Sequence, residues 1–200
     1  MRKYITEFIG TLFLVLSVGM SGNPLAIGAT LMVMVYAGGH ISGGFYNPAV
    51  TVAVFVRGKI SLGETLSYIG SQIAGALVAA LLVSVFISLP DTSTQSINVT
   101  KALIAEVLGT FALAYVVLNT GTAKSTSGNS YFGLAIGFTV FAMAVCFGNY
   151  SGGAFNPAVA IGASIMKIFA WSNIWIYIMA CFAGGIIAGL VFKMNNPDDK

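Results

Sequence analysis

The sequence predicts an all-α membrane protein: six transmembrane helices plus two re-entrant half-helices, laid out as an inverted repeat. Three observations predict it. Only 8% of the 200 residues are charged and 57% are apolar, with a mean hydropathy of +0.90. Six apolar segments approach the roughly 20 residues that cross a hydrocarbon core about 30 Å thick. A nine-residue phrase, SGGFYNPAV at 42–50, returns as SGGAFNPAV at 151–159 with seven positions identical. A soluble domain averages about 25% charged residues, so this chain has too few to cover a water-facing surface.

The apolar segments are 5–20, 25–37, 66–89, 102–118, 131–147 and 174–192. Arg2 and Lys3 precede the first. It is read as a span and not as a cleaved leader, because no small-residue cleavage site stands out and five spans follow. The connections 21–25 and 89–100 are short, and the polar stretch Gly121–Ser130 joins the fourth span to the fifth. Cys146 and Cys181 fall inside spans and read as buried small hydrophobes, not as a disulfide or a metal pair. Asn98-Val99-Thr100 has the form of a glycosylation triplet, taken as a chance match so close to a span.

Charge sets the expected orientation. Arg2, Lys3, Arg57, Lys59, Lys124, Lys193 and Lys200 fall on one side of the six-span arrangement, and Lys101 and Lys167 on the other. The excess of basic residues marks the cytoplasmic side, so both termini are expected there.

The repeat runs through the whole chain. The offset of 109 residues that relates the two phrases also carries Ala26-Ile27-Gly28 onto Ala135-Ile136-Gly137, Tyr68 onto Tyr177 and Gly75 onto Gly184. Near the N-terminus the offset is 99, carrying Glu7 and Thr11 onto Glu106 and Thr110. Residues 1–99 form a first repeat and 100–200 a second. Each holds three spans, an odd number, so the second enters the membrane from the opposite side. In such architectures broken helices meet near the midplane, where their ends form a site.

Asn47-Pro48 and Asn156-Pro157 are helix starts. Asn is a favoured N-cap, and Pro suits the first helical position because its missing N–H is not needed there. Half-helices are expected over 47–57 and 156–166, each about 16 Å long, with the two asparagines meeting near the bilayer centre. Each side-chain oxygen would cap its own helix, leaving two N–H donors free for a lumen. The lead-ins 42–46 and 151–155 are expected as extended chain, tolerated at that depth only beside a watery cavity. Carbonyls of Gly43, Gly44, Phe45, Gly152, Gly153 and Ala154 would line that cavity as acceptors. Two opposed helix N-termini, each worth about half a positive charge, oppose protons and cations at the centre.

These residues resemble the aquaporin, or major intrinsic protein, family, whose hallmark is a pair of Asn-Pro-Ala motifs on inverted half-helices. Here they are Asn47-Pro48-Ala49 and Asn156-Pro157-Ala158, accompanied by HISGG at 40–44, by Glu7 and Glu106, and by YIGSQIAGA at 68–76. The resemblance covers nearly the whole chain. It implies a right-handed bundle in the lipid bilayer, assembled as a homotetramer with one pore per subunit. It also implies that Glu7, Glu106 and His40 brace the re-entrant loops; proton coupling is the functional alternative for the two glutamates. Where the family often has a second histidine, two residues before the first motif asparagine, this chain has Phe45.

The resemblance also implies a selectivity constriction outside the asparagine pair, at Ile27, Ala144, Gly153 and Val159. Water-selective members place an aromatic residue, a histidine and an arginine among these positions, and this chain has none of them. Val159 in place of Arg removes a fixed cation and five donors, while Ala144 and Gly153 remove bulk. A wide apolar constriction is expected, open to glycerol, urea, ammonia or peroxide as well as water, unless Phe155 or Tyr46 fills the gap. The expected function is a passive channel for small neutral solutes. The alternatives are an ion-coupled transporter on an inverted-repeat scaffold and a membrane adhesion or scaffold protein. With one histidine, no paired pore-facing carboxylates and no metal-ligand spacing, no catalytic set emerges, and neither a cofactor nor a nucleic-acid partner is expected.

Overall fold

A computed structural model describes residues 1–89, 91 and 97–199. Part of the connection 89–100, and Lys200, lie outside the described residues. The described elements are helical: α1 (Arg2–Ser21), α2 (Pro24–Ser42), α3 (Pro48–Arg57), α4 (Leu62–Phe86), α5 (Val99–Val117), α6 (Phe132–Ser151), α7 (Pro157–Ile165) and α8 (Ile174–Asn195). A π-helical turn at Leu118–Thr122 continues α5. Six of these helices (α1, α2, α4, α5, α6 and α8) are long and apolar enough to cross a membrane. Helices α3 and α7 have ten and nine residues, or about 14–15 Å at 1.5 Å per residue, half a bilayer.

One device starts three helices. Asn23, Asn47 and Asn156 each stand in the β region, accept from two backbone N–H groups with the side-chain oxygen, and precede a proline at the first helical position. Helix α4 opens on a capping box, Ser61 with Glu64. Asn98, first met in a glycosylation-type triplet, caps α5 by accepting from the Lys101 N–H.

Two expectations need correction. Helices α2 and α6 run past the predicted ends to Ser42 and Ser151, because the glycines there keep helical bonds such as Gly43 N–H to Gly39 O at 2.9 Å. The lead-ins are therefore shorter, and they are not extended. Gly43, Gly44 and Tyr46, and likewise Gly152, Gly153 and Phe155, have positive φ. Glycine meets that requirement without strain; Tyr46 and Phe155 adopt it against their own preference. Of the two cysteines, Cys181 is buried and Cys146 is exposed, because Cys146 lies on a face of α6 that no other helix covers.

The halves pack in the same way and exchange their short helices. Helix α1 lies against α4 as α5 lies against α8, α2 meets α6, and α3 and α7 make their largest contacts with α8 and α4 respectively. Small residues permit these approaches. A side chain at Gly75 would strike the Phe8 carbonyl and one at Gly184 the Val107 carbonyl, while Gly28 and Gly137 face each other.

Charge gathers at one end of the bundle. Lys3 pairs with Glu64 at 3.2 Å. The Arg57 guanidinium, counted among the basic residues of that end, is buried: Nη2 donates to Thr122 O and to Asp199 Oδ1, both at 2.9 Å, and the group lies 4.5 Å from the Phe192 ring centre. Asp199 also accepts from the Lys124 N–H at 2.8 Å. That N–H and the guanidinium hold its carboxyl below the usual range. The tie is complete above the ordinary aspartate pKa and is lost as pH falls through the lowered one.

Packing of the lead-ins leads to a stability prediction. A Cβ at Gly109 would enter the Phe155 ring, whereas one at Gly148 would meet nothing within 4 Å. Gly109→Val should cost about 1–3 kcal/mol by overpacking and lower the midpoint of thermal unfolding in detergent. Gly148→Val should leave it close to the parent, and equal midpoints for the two would contradict the packing described.

Candidate functional site

The site begins with two amides. Asn47 Oδ1 accepts from Ala49 N at 2.9 Å and Val50 N at 3.4 Å, and Asn156 Oδ1 accepts from Ala158 N and Val159 N at the same two distances. Each amide nitrogen then reaches across the chain's midpoint. Asn47 Nδ2 donates to Phe155 O and Asn156 Nδ2 donates to Tyr46 O, both at 2.9 Å. The N-terminal ends of α3 and α7 are thereby locked face to face. Sequence reasoning left both N–H groups of each amide free. One is in fact held by the opposing lead-in, because a buried carbonyl there needs a donor, and one remains.

The two glutamates hold the lead-ins from behind. Glu7 accepts from Ser42 Oγ at 2.7 Å, Phe45 N at 3.0 Å, Tyr46 N at 2.7 Å and Gln72 Nε2 at 2.8 Å. Glu106 accepts from Ser151 Oγ at 2.6 Å, Ala154 N at 2.9 Å, Phe155 N at 2.7 Å and Cys181 Sγ at 3.4 Å. Tyr68 and Tyr177 donate to the carbonyls of Ser42 and Ser151. The side chains with positive φ turn away from the centre. The Tyr46 ring fills the notch at Gly10 and Gly38, and the Phe155 ring fills the one at Gly109. Both rings are 1% exposed, so neither fills the gap left by the missing arginine. His40, expected as a brace, makes no hydrogen bond among the described residues. It stands exposed in the last turn of α2 and lines a wide cavity.

Between the asparagines runs a narrow apolar cavity. Repeat-related pairs line it: Leu14 with Leu113, Leu31 with Val140, Phe45 with Ala154, Asn47 with Asn156 and Val50 with Val159. Its volume is about 20 Å³, against the ~10–15 Å³ that one water needs, so molecules would pass singly. A wider cavity of about 670 Å³ lies beyond it, walled by His40, Thr120, Thr122, Lys124 and Asn129. Of the four expected constriction residues, Val159 lines the narrow cavity. Ile27, Ala144 and Gly153 are half-buried and do not. Leu31 and Val140, one helical turn from Ile27 and Ala144 on the same helices, line it.

A family model described as Major intrinsic protein matches residues 1–192. The chain belongs to the major intrinsic protein family. Members of this family are channels and not enzymes, and this chain is an integral multi-pass membrane protein. Among curated relatives it is 37% identical to a glycerol uptake facilitator protein-like 6 of Lactiplantibacillus plantarum, with both chains covered in full. It is 31% identical to a putative aquaporin, NIP4-1, of Arabidopsis thaliana, over all of this chain and 76% of that one. Its fold matches the X-ray structure of the aquaglyceroporin from Plasmodium falciparum, with a TM-score of 0.83, 21% identity, and 98% and 97% of the two chains covered.

Several residues of this channel's interior escaped sequence reasoning. Gln72 joins Glu7 to Thr51 Oγ1 at 2.9 Å, inside the phrase YIGSQIAGA. Its repeat mate is Cys181, so the offset of 109 could have flagged both as partners of the glutamates. Val117 and Ile136 line the cavity from positions that carry no polar mark.

Removing a brace should cost more than removing its weakest donor. Glu106→Ala strands the Ala154 and Phe155 N–H groups, each about 1–3 kcal/mol when buried and unpaired. Cys181→Ala removes only a thiol. Thermal unfolding in detergent should fall far more for the first; comparable losses would contradict the bracing geometry.

Proposed function

We propose that the protein is a passive channel for small neutral solutes, water and glycerol among them, with urea and ammonia as further candidates. One observation carries this reading: two half-helix N-termini held face to face by reciprocal amide–carbonyl bonds, with a one-molecule-wide apolar cavity between them. Each asparagine offers its remaining N–H to that cavity. The carbonyls of Gly43, Gly44, Phe45, Gly152, Gly153 and Ala154 supply acceptors, since none of them takes a hydrogen bond from a described residue. A neutral molecule that both donates and accepts is served at each step. A cation or proton meets two positive helix ends in a space too narrow to keep its water shell.

The bonding of Glu7 and Glu106 supports a bracing role over proton coupling, because their oxygens are already surrounded by donors. The constriction at Ile27, Ala144, Gly153 and Val159 is read as wide and apolar, and the name of the facilitator-like relative is consistent with solutes larger than water. The chain sits in a lipid bilayer as a homotetramer with one pore per subunit. The end that gathers Lys3, Arg57 and Lys124 faces the cytoplasm with both termini, following the bias of basic residues.

Stopped-flow shrinkage of proteoliposomes challenged with glycerol or urea, and with an impermeant osmolyte for water, tests the reading. Each solute that is conducted should equilibrate faster than in protein-free vesicles, and equal rates throughout would refute it. Val159→Arg should lower glycerol permeability relative to water by about tenfold, equivalent to about 1.4 kcal/mol of added barrier. Unchanged glycerol flux would remove Val159 from the constriction.

A further inference from the structure

The two cavities share a wall. Phe45, Val117 and Ile136 line the narrow central cavity and also the wide polar one. They come from three separate places, the first lead-in, the end of α5 and the start of α6. All three are apolar and nearly buried, with Phe45 8%, Val117 4% and Ile136 3% exposed. A solute moving between the cavities passes along these shared side chains.

Phe45 is the bulky member, and it is held at two levels. Its N–H is fixed to Glu7 Oε1 at 3.0 Å, so its backbone is anchored. Its ring lies over Gly43 and tilts against the Tyr68 ring with centroids 5.4 Å apart. The repeat mate of Phe45 is Ala154, which lines the central cavity on the other side of the asparagine pair. At this position of the repeat one half carries a phenyl ring and the other a methyl group. At the constriction expected beyond Ala154, Ile27, Ala144, Gly153 and Val159 carry no charge, and Ala144 and Gly153 add little bulk.

We propose that Phe45, closing against Val117 and Ile136, sets the size limit of the channel. Selection by width then occurs on the side of the wide polar cavity, and the outer positions do not set it. The proposal rests on the channel reading above. It places the specificity-determining side chain in the first repeat, two residues before Asn47. A small polyol can pass if the ring rotates about χ1 and χ2 while its backbone stays pinned to Glu7. The bulk of the solute, which grows along a polyol series, is what the ring resists.

The test is a size series in proteoliposomes: water, glycerol, erythritol and ribitol, measured by stopped-flow shrinkage for the parent, Phe45→Ala and Ile136→Ala. The parent should show a cut-off within the series. Phe45→Ala should move the cut-off upward, raising permeability to the first excluded polyol by about tenfold while water changes much less. Ile136→Ala widens the same junction from a different helix. It should shift the cut-off in the same direction, and it carries the test if Phe45→Ala fails to reach the vesicles folded. A parent that conducts nothing beside a Phe45→Ala form that conducts also supports the proposal, as a ring that closes the passage fully. A conducting parent whose cut-off is unmoved in folded Phe45→Ala, or in Ile136→Ala, overturns the assignment and leaves the channel reading intact. If neither the parent nor either variant conducts any member of the series, the channel reading itself has failed and this proposal with it.

Discussion

The structure depends on two hydrogen bonds, Asn47 Nδ2 to Phe155 O and Asn156 Nδ2 to Tyr46 O. They join the N-terminal ends of two helices whose partial charges repel. Without them, two desolvated carbonyls and two amide donors would stand unpaired at the centre of the molecule, each at about 1–3 kcal/mol. Each amide also caps its own helix through its oxygen. A single side chain therefore starts a half-helix, ties it to the opposing lead-in and presents one remaining donor. No other residue type supplies that combination at this length: aspartate has no donor and glutamine is a methylene longer.

The rest of the fold keeps those two caps in position. The lead-ins contain left-handed turns, including non-glycine ones at Tyr46 and Phe155, a conformation that persists only where the surroundings over-determine it. The surroundings are specific. A buried carboxylate behind each lead-in collects consecutive backbone N–H groups and a serine hydroxyl. A tyrosine hydroxyl fixes the serine carbonyl, and a glycine notch receives the ring of the strained residue. The close approach of α1 to α4 and of α5 to α8, across Gly75 and Gly184, brings Gln72 and Cys181 within reach of the glutamates. Helix packing, loop strain and the orientation of the two amides are thus one coupled arrangement.

Much of this was legible in the sequence because it is written twice. The offset of 109 identified the half-helices to within a residue, and Asn-Pro fixes a helix start by local chemistry alone. The six spans followed from hydropathy, although glycines hid the true ends of α2 and α6. What stayed hidden depends on contacts between distant residues. Counting donors on an isolated asparagine leaves two; only the fold shows that Phe155 O or Tyr46 O takes one. Arg57 reads as one basic residue among several until the C-terminal Asp199 and the Phe192 ring are brought against it. His40 reads as a brace beside a glycine turn, but the helix continues past it and leaves it on a cavity wall. Val117 and Ile136 look like any apolar residue in a span, and only the path of the cavity distinguishes them.

The central claim is that the paired helix ends pass neutral molecules and oppose charge in the same space. The most direct measurement loads proteoliposomes with a pH-sensitive dye and follows glycerol entry and the decay of an imposed proton gradient in one preparation. The account predicts glycerol entry well above that of protein-free vesicles, with the proton gradient decaying no faster than in those vesicles. A gradient that collapses in proportion to the glycerol flux would contradict it.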